Sequence, residues 1–455
     1  MNLSAAHIQR VYLGLTLLST LAASFIWGIN TLFLLDAGLN NTEAFAANAF
    51  FTLGQVIFEV PTGVVADIWG RRTSYLLGTL TLLVSTLLYF LMWKVRAPFI
   101  GWALSSVFIG LGFTFFSGAT EAWLVDALRY TGYRGELDPV FARGAIASGA
   151  AMLSGSVAGG YLAQISNLGV PYVVRSAILG LTFLAAFFFM KDLGFKPDRS
   201  QTVPKRMQTI FKSSIENGFR RPAVRWLMLA APFTAGASLY AFYAMQPYLL
   251  QLYGNPKAYG VAGLAAAVVA GAQIAGGLLV RQVRRLFSRR TQAMILGTVA
   301  GIVALAVIGW TSSFWVAVSL LILWAVAFAA IGPIRQAYLN GIIPSEQRAT
   351  ILSFDSLMGS AGGAVTQPVL GRVADAWSYS ASYLVTAAVQ LGALPFVILA
   401  RRANATSDLI AETNGARTPR RGVALQAGPT PPDAGGRGKP AEPAGRPASR
   451  SGKAG

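Results

Sequence analysis

Long apolar stretches alternate with short polar segments along almost the whole chain. A helix needs about 20 mostly apolar residues to cross a bilayer, and stretches of that kind recur twelve times. They lie at roughly 11–35, 42–66, 73–93, 98–127, 141–166, 170–190, 222–252, 257–280, 291–310, 313–340, 346–376 and 380–400. A polar segment from Lys191 to Arg221 separates the first six from the last six. The pattern predicts an all-α membrane protein whose twelve transmembrane helices form two pseudo-symmetric six-helix bundles.

The same pattern predicts four parts along the chain. We expect an N-terminal six-helix bundle over 1–190, a cytoplasmic central loop over 191–221, and a C-terminal six-helix bundle over 222–402. Residues 403–455 are rich in Gly, Pro, Ala, Arg and Ser. Such a segment buries too little apolar area to offset the entropy of ordering, so we predict a disordered basic cytoplasmic tail. The first apolar stretch lacks a clear cleavage site, which favours a retained helix over a signal peptide.

Lys and Arg residues predict the orientation of the helices. With the N-terminus inside, most of the basic residues before position 401 fall in cytoplasmic segments, as expected for a membrane protein. This distribution predicts a multi-pass protein of the bacterial inner membrane with both termini in the cytoplasm. It also accounts for the formal net charge of +19 without a nucleic-acid partner.

Composition excludes several classes of protein. Hydrophobic residues make up 54% of the chain and charged residues 12%, whereas a soluble domain carries about 25% charged residues. Cysteine is absent and His7 is the only histidine, so we predict neither a metal site nor a cofactor. The sequence has no phosphate-binding loop of the G-x-x-x-x-G-K-[ST] type,. These absences argue against a membrane enzyme and against transport driven by ATP.

The two halves of the chain resemble each other weakly. RRTSYLLGT starts at Arg71 and RRTQAMILGT at Arg289, and each follows a basic turn into the third helix of its half. EAWL from Glu121 likewise matches QAYL from Gln336. Parallel repeats of six helices are a transporter architecture, in which the substrate site lies at the interface of the repeats. We therefore expect the site between the halves.

The segment GVVADIWGRR, after the second apolar stretch, resembles the signature loop of the major facilitator superfamily. The matching positions are Gly63, Asp67, Gly70, Arg71 and Arg72. Glycines allow close helix approach and a tight turn. The resemblance covers about 1–400 and implies a secondary transporter that works by alternating access.

By that resemblance the loop acts as a conformational latch on the cytoplasmic side in the outward-open state. Asp67 is then expected to face Arg348 or Arg129, although the Arg pair also fits the positive-inside rule alone. The second-half equivalent, GGLLVRQVRRLFSRR, lacks the acid, which predicts a one-sided latch. In the fifth helix, SGSVAGGYL is similar to the antiporter motif of the family but has Ser156 where proline is expected. The motif favours export, and plain helix packing explains it equally.

Charged residues within the apolar stretches are candidates for proton coupling, because each is costly unless paired or hydrated. Glu59, Glu121, Arg335 and Asp355 fall in the inner half of the bilayer, and Asp126 at its inner edge. We predict that Glu121 or Glu59 carries the proton. Glu121 and Arg335 lie on equivalent helices, so we expect them to pair at the inner gate. A static pair that only holds the helices together is the alternative.

Aromatic and amide side chains form a second group of candidates, for substrate binding. They lie on the first, seventh and tenth helices: Trp27, Asn30, Tyr240, Tyr243, Gln246, Trp324 and Phe328. In the family that the signature loop resembles, these helices line the cavity. Stacking and hydrogen bonding by such groups suit an amphipathic ligand. The alternative is an interfacial belt of aromatic residues.

These features together predict a monomeric, proton-coupled exporter of a drug-like or other amphipathic small molecule. Its expected partners are the substrate, protons and the lipid bilayer. Uptake or lipid flipping on the same fold is an alternative. A non-transporting sensor or assembly partner, with the tail as docking segment, is the alternative from another class.

Overall fold

The computed structural model describes residues 4–195, 197, 203–204, 207–208, 212 and 214–410. The first bundle consists of α1a (Ala5–Trp27), α1b (Asn30–Asp36), α2 (Asn41–Trp69), α3 (Arg71–Val95), α4a (Phe99–Thr114), α4b (Ala119–Tyr130), α5 (Asp138–Ile165) and α6 (Val170–Phe189). The second consists of α7 (Pro222–Tyr253), α8a (Tyr259–Leu278), α8b (Val280–Arg285), α9 (Arg290–Trp310), α10 (Phe314–Asn340), α11 (Ser345–Ala376), α12a (Tyr379–Leu391) and α12b (Ala393–Arg402).

The helices confirm the predicted all-α membrane fold. Eleven of them, with α4 and α12 each counted as one, are long and apolar enough to cross a membrane. The twelfth is α11, which is 32 residues long but carries more polar positions. Within the first bundle α1 packs on α5 and α6, and within the second α7 packs on α11 and α12. The bundles meet along α2 with α11 and along α5 with α8.

We call the face with the α2–α3 and α8–α9 turns the inner face and the opposite face the outer face, following the predicted orientation. At the outer side a very close approach joins the bundles. A Cβ on Gly263 of α8a would lie 2.7 Å from the Cα of Gly160 and 2.5 Å from the carbonyl oxygen of Ser156, both on α5. A Cβ on Gly28, directly after α1a, would lie 2.8 Å from the Cα of Gly263. Only glycine permits this contact, because any side chain would push the helices apart.

At the inner face of each bundle, a carboxylate that follows the last helix bonds the start of the third helix of that bundle. Asp192, after α6, accepts a hydrogen bond of 2.8 Å from the Arg72 N–H at the start of α3. Asp408, after α12b, accepts the N–H and the hydroxyl of Thr291 at 2.8 and 2.9 Å at the start of α9. A carboxylate at a helix N-terminus satisfies free N–H groups and favours the helix dipole. The two matching RRT segments, at 71–73 and 289–291, therefore lie at the starts of α3 and α9, and a carboxylate caps each start.

The contacts of Asp408 show that the first residues of the predicted tail are packed against the second bundle. Residues 403–410, which the sequence pattern placed in the tail, are packed against the start of α9: Asp408 is buried and the Ile410 N–H donates to the Ser288 carbonyl at 3.0 Å. The rest of the predicted tail, 411–455, lies outside the described residues. Within the predicted central loop, residues 196, 198–202, 205–206, 209–211 and 213 lie outside them as well.

Candidate functional site

A cavity of about 690 Å³ lies within the second bundle. All six helices of that bundle contribute to its wall, and every lining residue belongs to them. Trp324 and Phe328 of α10 lie in this wall, as does the Arg335–Asp355 pair. The sequence placed the site between the two halves, whereas this cavity is lined by the second half alone.

Aromatic and hydroxyl groups give the cavity an amphipathic wall. The rings of Trp324 and Phe328 stack with centroids 5.9 Å apart, and Phe328 is 46% exposed. Ser238 and Thr234 of α7, across from them, line the same space, and each hydroxyl donates to a carbonyl of its own helix. The oxygen of such a hydroxyl still accepts a second hydrogen bond. The wall therefore suits a ligand that is part aromatic and part polar.

Arg335 of α10 forms the charged part of this wall together with Asp355 of α11. The two guanidinium nitrogens donate to the two carboxylate oxygens, each at 2.6 Å, and Nη2 also donates to the Leu227 carbonyl at 3.1 Å. Only 9% of the Asp355 side chain is exposed. Such two-pronged pairs are the strong class of ionic hydrogen bond, and removing one partner of a buried pair is far more damaging than removing both.

The predicted pair between Glu121 and Arg335 does not form in this structure. Arg335 finds its carboxylate on the adjacent helix of its own bundle, at Asp355, and Glu121 is exposed. Glu121 lies in the first turn of α4b, where the helix dipole favours its negative charge. Glu59 is also exposed and accepts a hydrogen bond of 2.6 Å from Ser117, and Asp126 is partly exposed. Of these four acids, Asp355 alone is buried.

Gln246 of α7 joins the two bundles at a break in the first helix. Between α1a and α1b the chain is not helical, which leaves backbone groups without helical partners. The Gln246 side chain supplies the missing donor and the missing acceptor. Its Nε2 donates to the Trp27 carbonyl and its Oε1 accepts the Thr31 N–H, each at 2.8 Å. The Thr31 hydroxyl donates to the Tyr243 carbonyl at 3.0 Å. The amide thus clamps α7 to α1.

Five predicted substrate-binding residues, Trp27, Asn30, Tyr240, Tyr243 and Gln246, are absent from the cavity wall. Asn30 is engaged by its own bundle: its amide donates to the Asn48 oxygen at 2.9 Å and its oxygen accepts from the Tyr172 hydroxyl at 3.0 Å. The Tyr240 hydroxyl donates to Ser382 of α12 at 2.6 Å. In this conformation these groups hold helices together around the outer side of the molecule.

The outer rim carries a second contact between the bundles. Asp375, near the end of α11, accepts the N–H groups of Asn41 and Thr42 at 2.9 and 2.7 Å and the Thr42 hydroxyl at 2.6 Å. Tyr379 donates to the Asn41 side chain. The Asp375 carboxylate of the second bundle therefore caps the start of α2 in the first bundle. This contact and the Gln246 contact join the two bundles at the outer side.

The predicted latch lies at the inner end of α2 and the start of α3. Arg71 forms an ion pair with Asp67 at 2.8 Å, one helical turn away. Gly70 has a φ of +102°, a conformation that favours glycine. The candidate partner Arg348 donates to the Asn340 carbonyl at 3.1 Å, and the other candidate, Arg129, is exposed. Gly63 has open space beside its Cα.

The carboxyl of Asp192 lies beside the latch. Burial raises the pKa of Asp192 above its ordinary value, while the N–H of Arg72 and the guanidinium groups of Arg72 and Arg71 act in the opposite direction. Arg72 also donates to the Phe187 carbonyl at 2.7 Å. The second arginine of the signature loop therefore fastens α3 to the end of α6.

Two buried polar residues were missed at the sequence level. Arg175 of α6 is 2% exposed and its Nε donates to the Thr86 hydroxyl at 3.0 Å. Among the described residues it forms no ion pair. Gln390 of α12a lines the cavity. The signal available in the sequence was a basic residue within the sixth apolar stretch and an amide residue within the twelfth.

Comparison with known proteins places these features in context. The sequence model of the Major Facilitator Superfamily matches residues 12–288 and 281–432. YxaM, an uncharacterized MFS-type transporter of Bacillus subtilis, is 23% identical over 412 residues, which cover 85% of this chain and 94% of that protein. A second uncharacterized MFS-type transporter, from Methanocaldococcus jannaschii, is 23% identical over 230 residues, which cover 50% of this chain and 57% of that protein.

Solved structures show the same fold at low sequence identity. The nucleoside transporter NupG superposes with a TM-score of 0.72 at 14% identity, over 86% of this chain and 98% of NupG. A bacterial homolog to the human lysosomal transporter Spinster, in an inward-facing and unoccupied conformation, superposes with a TM-score of 0.68 at 16% identity, over 89% of this chain and 98% of that chain.

Proposed function

Because the chain belongs to the major facilitator superfamily, we propose that this multi-pass transporter exports an amphipathic organic molecule in exchange for protons. One observation carries the proposal: an ion pair between the partly exposed Arg335 and the buried Asp355 lies in the wall of the same amphipathic cavity as Trp324 and Phe328. A substrate and a proton can therefore act on one site.

We propose Asp355 as the acid that couples protons to the substrate. A nearby guanidinium favours the charged form of a carboxyl, and burial without a partner favours the neutral form. A carboxyl that gains and loses its guanidinium partner during the cycle therefore releases and takes up a proton in turn. Because α10 and α11 both line the cavity, a ligand that separates Arg335 from Asp355 would change the protonation state of the acid.

Paired flux measurements in proteoliposomes test this assignment. Asp355→Asn mimics the protonated acid, so we expect pH-gradient-driven accumulation of fluorescent amphipathic dyes to be lost, while exchange at equal pH persists. Glu136→Gln is the control, because Glu136 is exposed and lies outside the cavity wall. If Asp355→Asn still accumulates dye under a pH gradient, Asp355 is not the proton carrier. If it abolishes exchange as well, the pair is structural.

The outer closure of this structure supports an inward-facing state, which is also the state named for the Spinster homolog. Orientation in the bacterial inner membrane, with both termini inside, is part of the proposal. Single cysteines in this cysteine-free chain test it in intact cells. Residue 255 should react with an impermeant maleimide from outside, and residues 201 and 415 only after permeabilisation. External labelling at 201 would contradict the orientation.

A further inference from the structure

The side-chain amide of Gln390 forms no hydrogen bond within the described part of the chain, although the residue is only 6% exposed. Gln390 lies on α12a and belongs to the cavity wall. Its Oε1 is completely buried and has no donor, whereas its Nε2 is not sealed in this way. The two N–H groups of the Nε2 are therefore the part of the amide that a ligand can reach. A buried amide without partners is costly, and a ligand can offset that cost only by accepting from the Nε2.

A glycine of α9 leaves open the space beside this Nε2. A Cβ on Gly301 would lie 2.8 Å from the Nε2 of Gln390 but 3.6 Å from its Oε1. The Nε2 is therefore the end of the amide that faces Gly301, and Gly301 itself lines the cavity. Gly297, one helical turn earlier, lines it as well. Any side chain at position 301 would occupy the space in front of the donor.

Gln390 lies at the same depth in the bundle as the aromatic part of the wall. Helices α10 and α12a both begin at the outer face. There the Tyr248 hydroxyl lies 3.4 Å from the Thr311 carbonyl, just before α10, and 3.1 Å from the Ser380 hydroxyl of α12a. At a rise of about 1.5 Å per residue, Trp324 and Gln390 both lie about 15–17 Å along their helices from these starts. A ring that stacks on Trp324 therefore has the amide at its own level.

Charge within the cavity limits which acceptor the amide can receive. Among the lining residues only Arg335 and Asp355 are charged, and they pair with each other. Arg335 lies about 16 Å further along α10 than Trp324, so an anionic group beside Gln390 would meet no cation, and burying an unpaired charge is strongly unfavourable. An uncharged acceptor bonds the Nε2 without that cost, whereas a wholly apolar ligand leaves the N–H groups unpaired.

We infer that Gln390 forms a subsite that selects an uncharged hydrogen-bond acceptor on the substrate, such as a carbonyl oxygen or a ring nitrogen. The aromatic body of the ligand then lies against Trp324 and Phe328. The inference rests on the proposed transport function and adds a substrate class to it: a neutral aromatic molecule with one acceptor.

Matched pairs of probes that differ by one acceptor test the inference. Quinoline is compared with naphthalene, and 2-acetylnaphthalene with 2-isopropenylnaphthalene, by the thermal shift of the purified full-length protein against probe concentration. For each pair the ratio of the two dissociation constants is compared between proteins, because partition of the probes into detergent is common to all of them. One net hydrogen bond is equivalent to roughly three- to tenfold in affinity. Gln390→Met removes the donor at similar volume, so the ratio should shift by that factor against the acceptor member. Gln251→Met, on the exposed side of α7, should keep the wild-type ratio.

Gly301→Ala is the second variant and leaves Gln390 intact. Its methyl group would crowd the Nε2, so the preference for the acceptor member should fall towards that of Gln390→Met. The inference is overturned if Gln390→Met keeps the wild-type ratio, if the ratio shifts in favour of the acceptor member, or if Gln251→Met changes it equally. Loss of pH-driven flux with acceptor preference intact would instead contradict only the proton-coupled function.

Discussion

Replacement of Gln246 by leucine should release the outer closure. The variant keeps the size of the side chain but removes the donor to the Trp27 carbonyl and the acceptor of the Thr31 N–H. Each buried backbone group left without a partner costs about 1–3 kcal/mol. The outer-closed state should therefore lose about 2–6 kcal/mol relative to an open state in which water reaches the break in α1. The lower bound corresponds to roughly a 30-fold change in the ratio of the two states.

A cysteine reporter measures this shift. Ala262 of α8a is buried in the apolar cluster that the outer ends of the two bundles share, so Ala262→Cys should resist an impermeant maleimide added from the outer side. With Gln246→Leu the labelling rate should rise at least tenfold. Gln251→Leu, an exposed position on the same helix, serves as the control and should leave the rate unchanged. Unchanged labelling in a folded Gln246→Leu protein would mean that the amide is not part of the closure.

Three further predictions concern the packing and the inner face. Gly263→Ala should separate α5 from α8 and destabilise the outer-closed state by about 1–3 kcal/mol, which would be measured as faster labelling of a cysteine at the outer side. Gly277→Ala is the control and should leave the labelling rate unchanged, because a Cβ there would meet no neighbouring atom within 4 Å. Asp67→Asn should lower the transport rate strongly with near-normal expression, and Arg285→Asp should lower it less. Equal and mild effects of both changes would mean that the signature loop acts only as an orientation signal. Asp408→Ala should lower thermal stability by about 1–2 kcal/mol, because the start of α9 loses its cap; an unchanged melting temperature would refute this.

Hydropathy predicted the fold well because the bilayer imposes a simple rule. Each crossing must be a long apolar helix whose backbone groups are satisfied internally, so twelve stretches in the sequence give twelve helices. This rule does not predict where a membrane-spanning helix is interrupted. The breaks in α1 at Gly28 and in α4 at Gly118 do not show in a hydropathy average, since each lies inside a stretch whose mean hydropathy is apolar. Gly118 has a φ of +67°, which the sequence signals only as one glycine among many.

Site residues were harder to predict because a partner is chosen by three-dimensional packing. Arg335 and Glu121 occupy equivalent places in the repeat, and symmetry suggested that they meet. A charged side chain in a membrane takes the nearest opposite charge, since leaving it unpaired is costly, and α11 offers Asp355 within the same bundle. Gln246 was predicted to bind substrate, whereas in this structure it bonds the backbone at a break in α1 that no spacing in the sequence reveals.

The two bundles differ in where their charged and polar groups lie, although they repeat one fold. Asp67 lies at the inner end of α2 in the first bundle, and every charged residue in the matching segment of the second is basic. The cavity and its charged pair both lie in the second bundle. The contacts that close the outer side run from residues of the second bundle to backbone groups of the first: Gln246 to the break in α1 and Asp375 to the start of α2. Because α7 and α11 each carry both a cavity residue and a closure residue, a ligand that displaces either helix acts on the outer closure directly. We therefore expect occupancy of the second bundle to open the outer side.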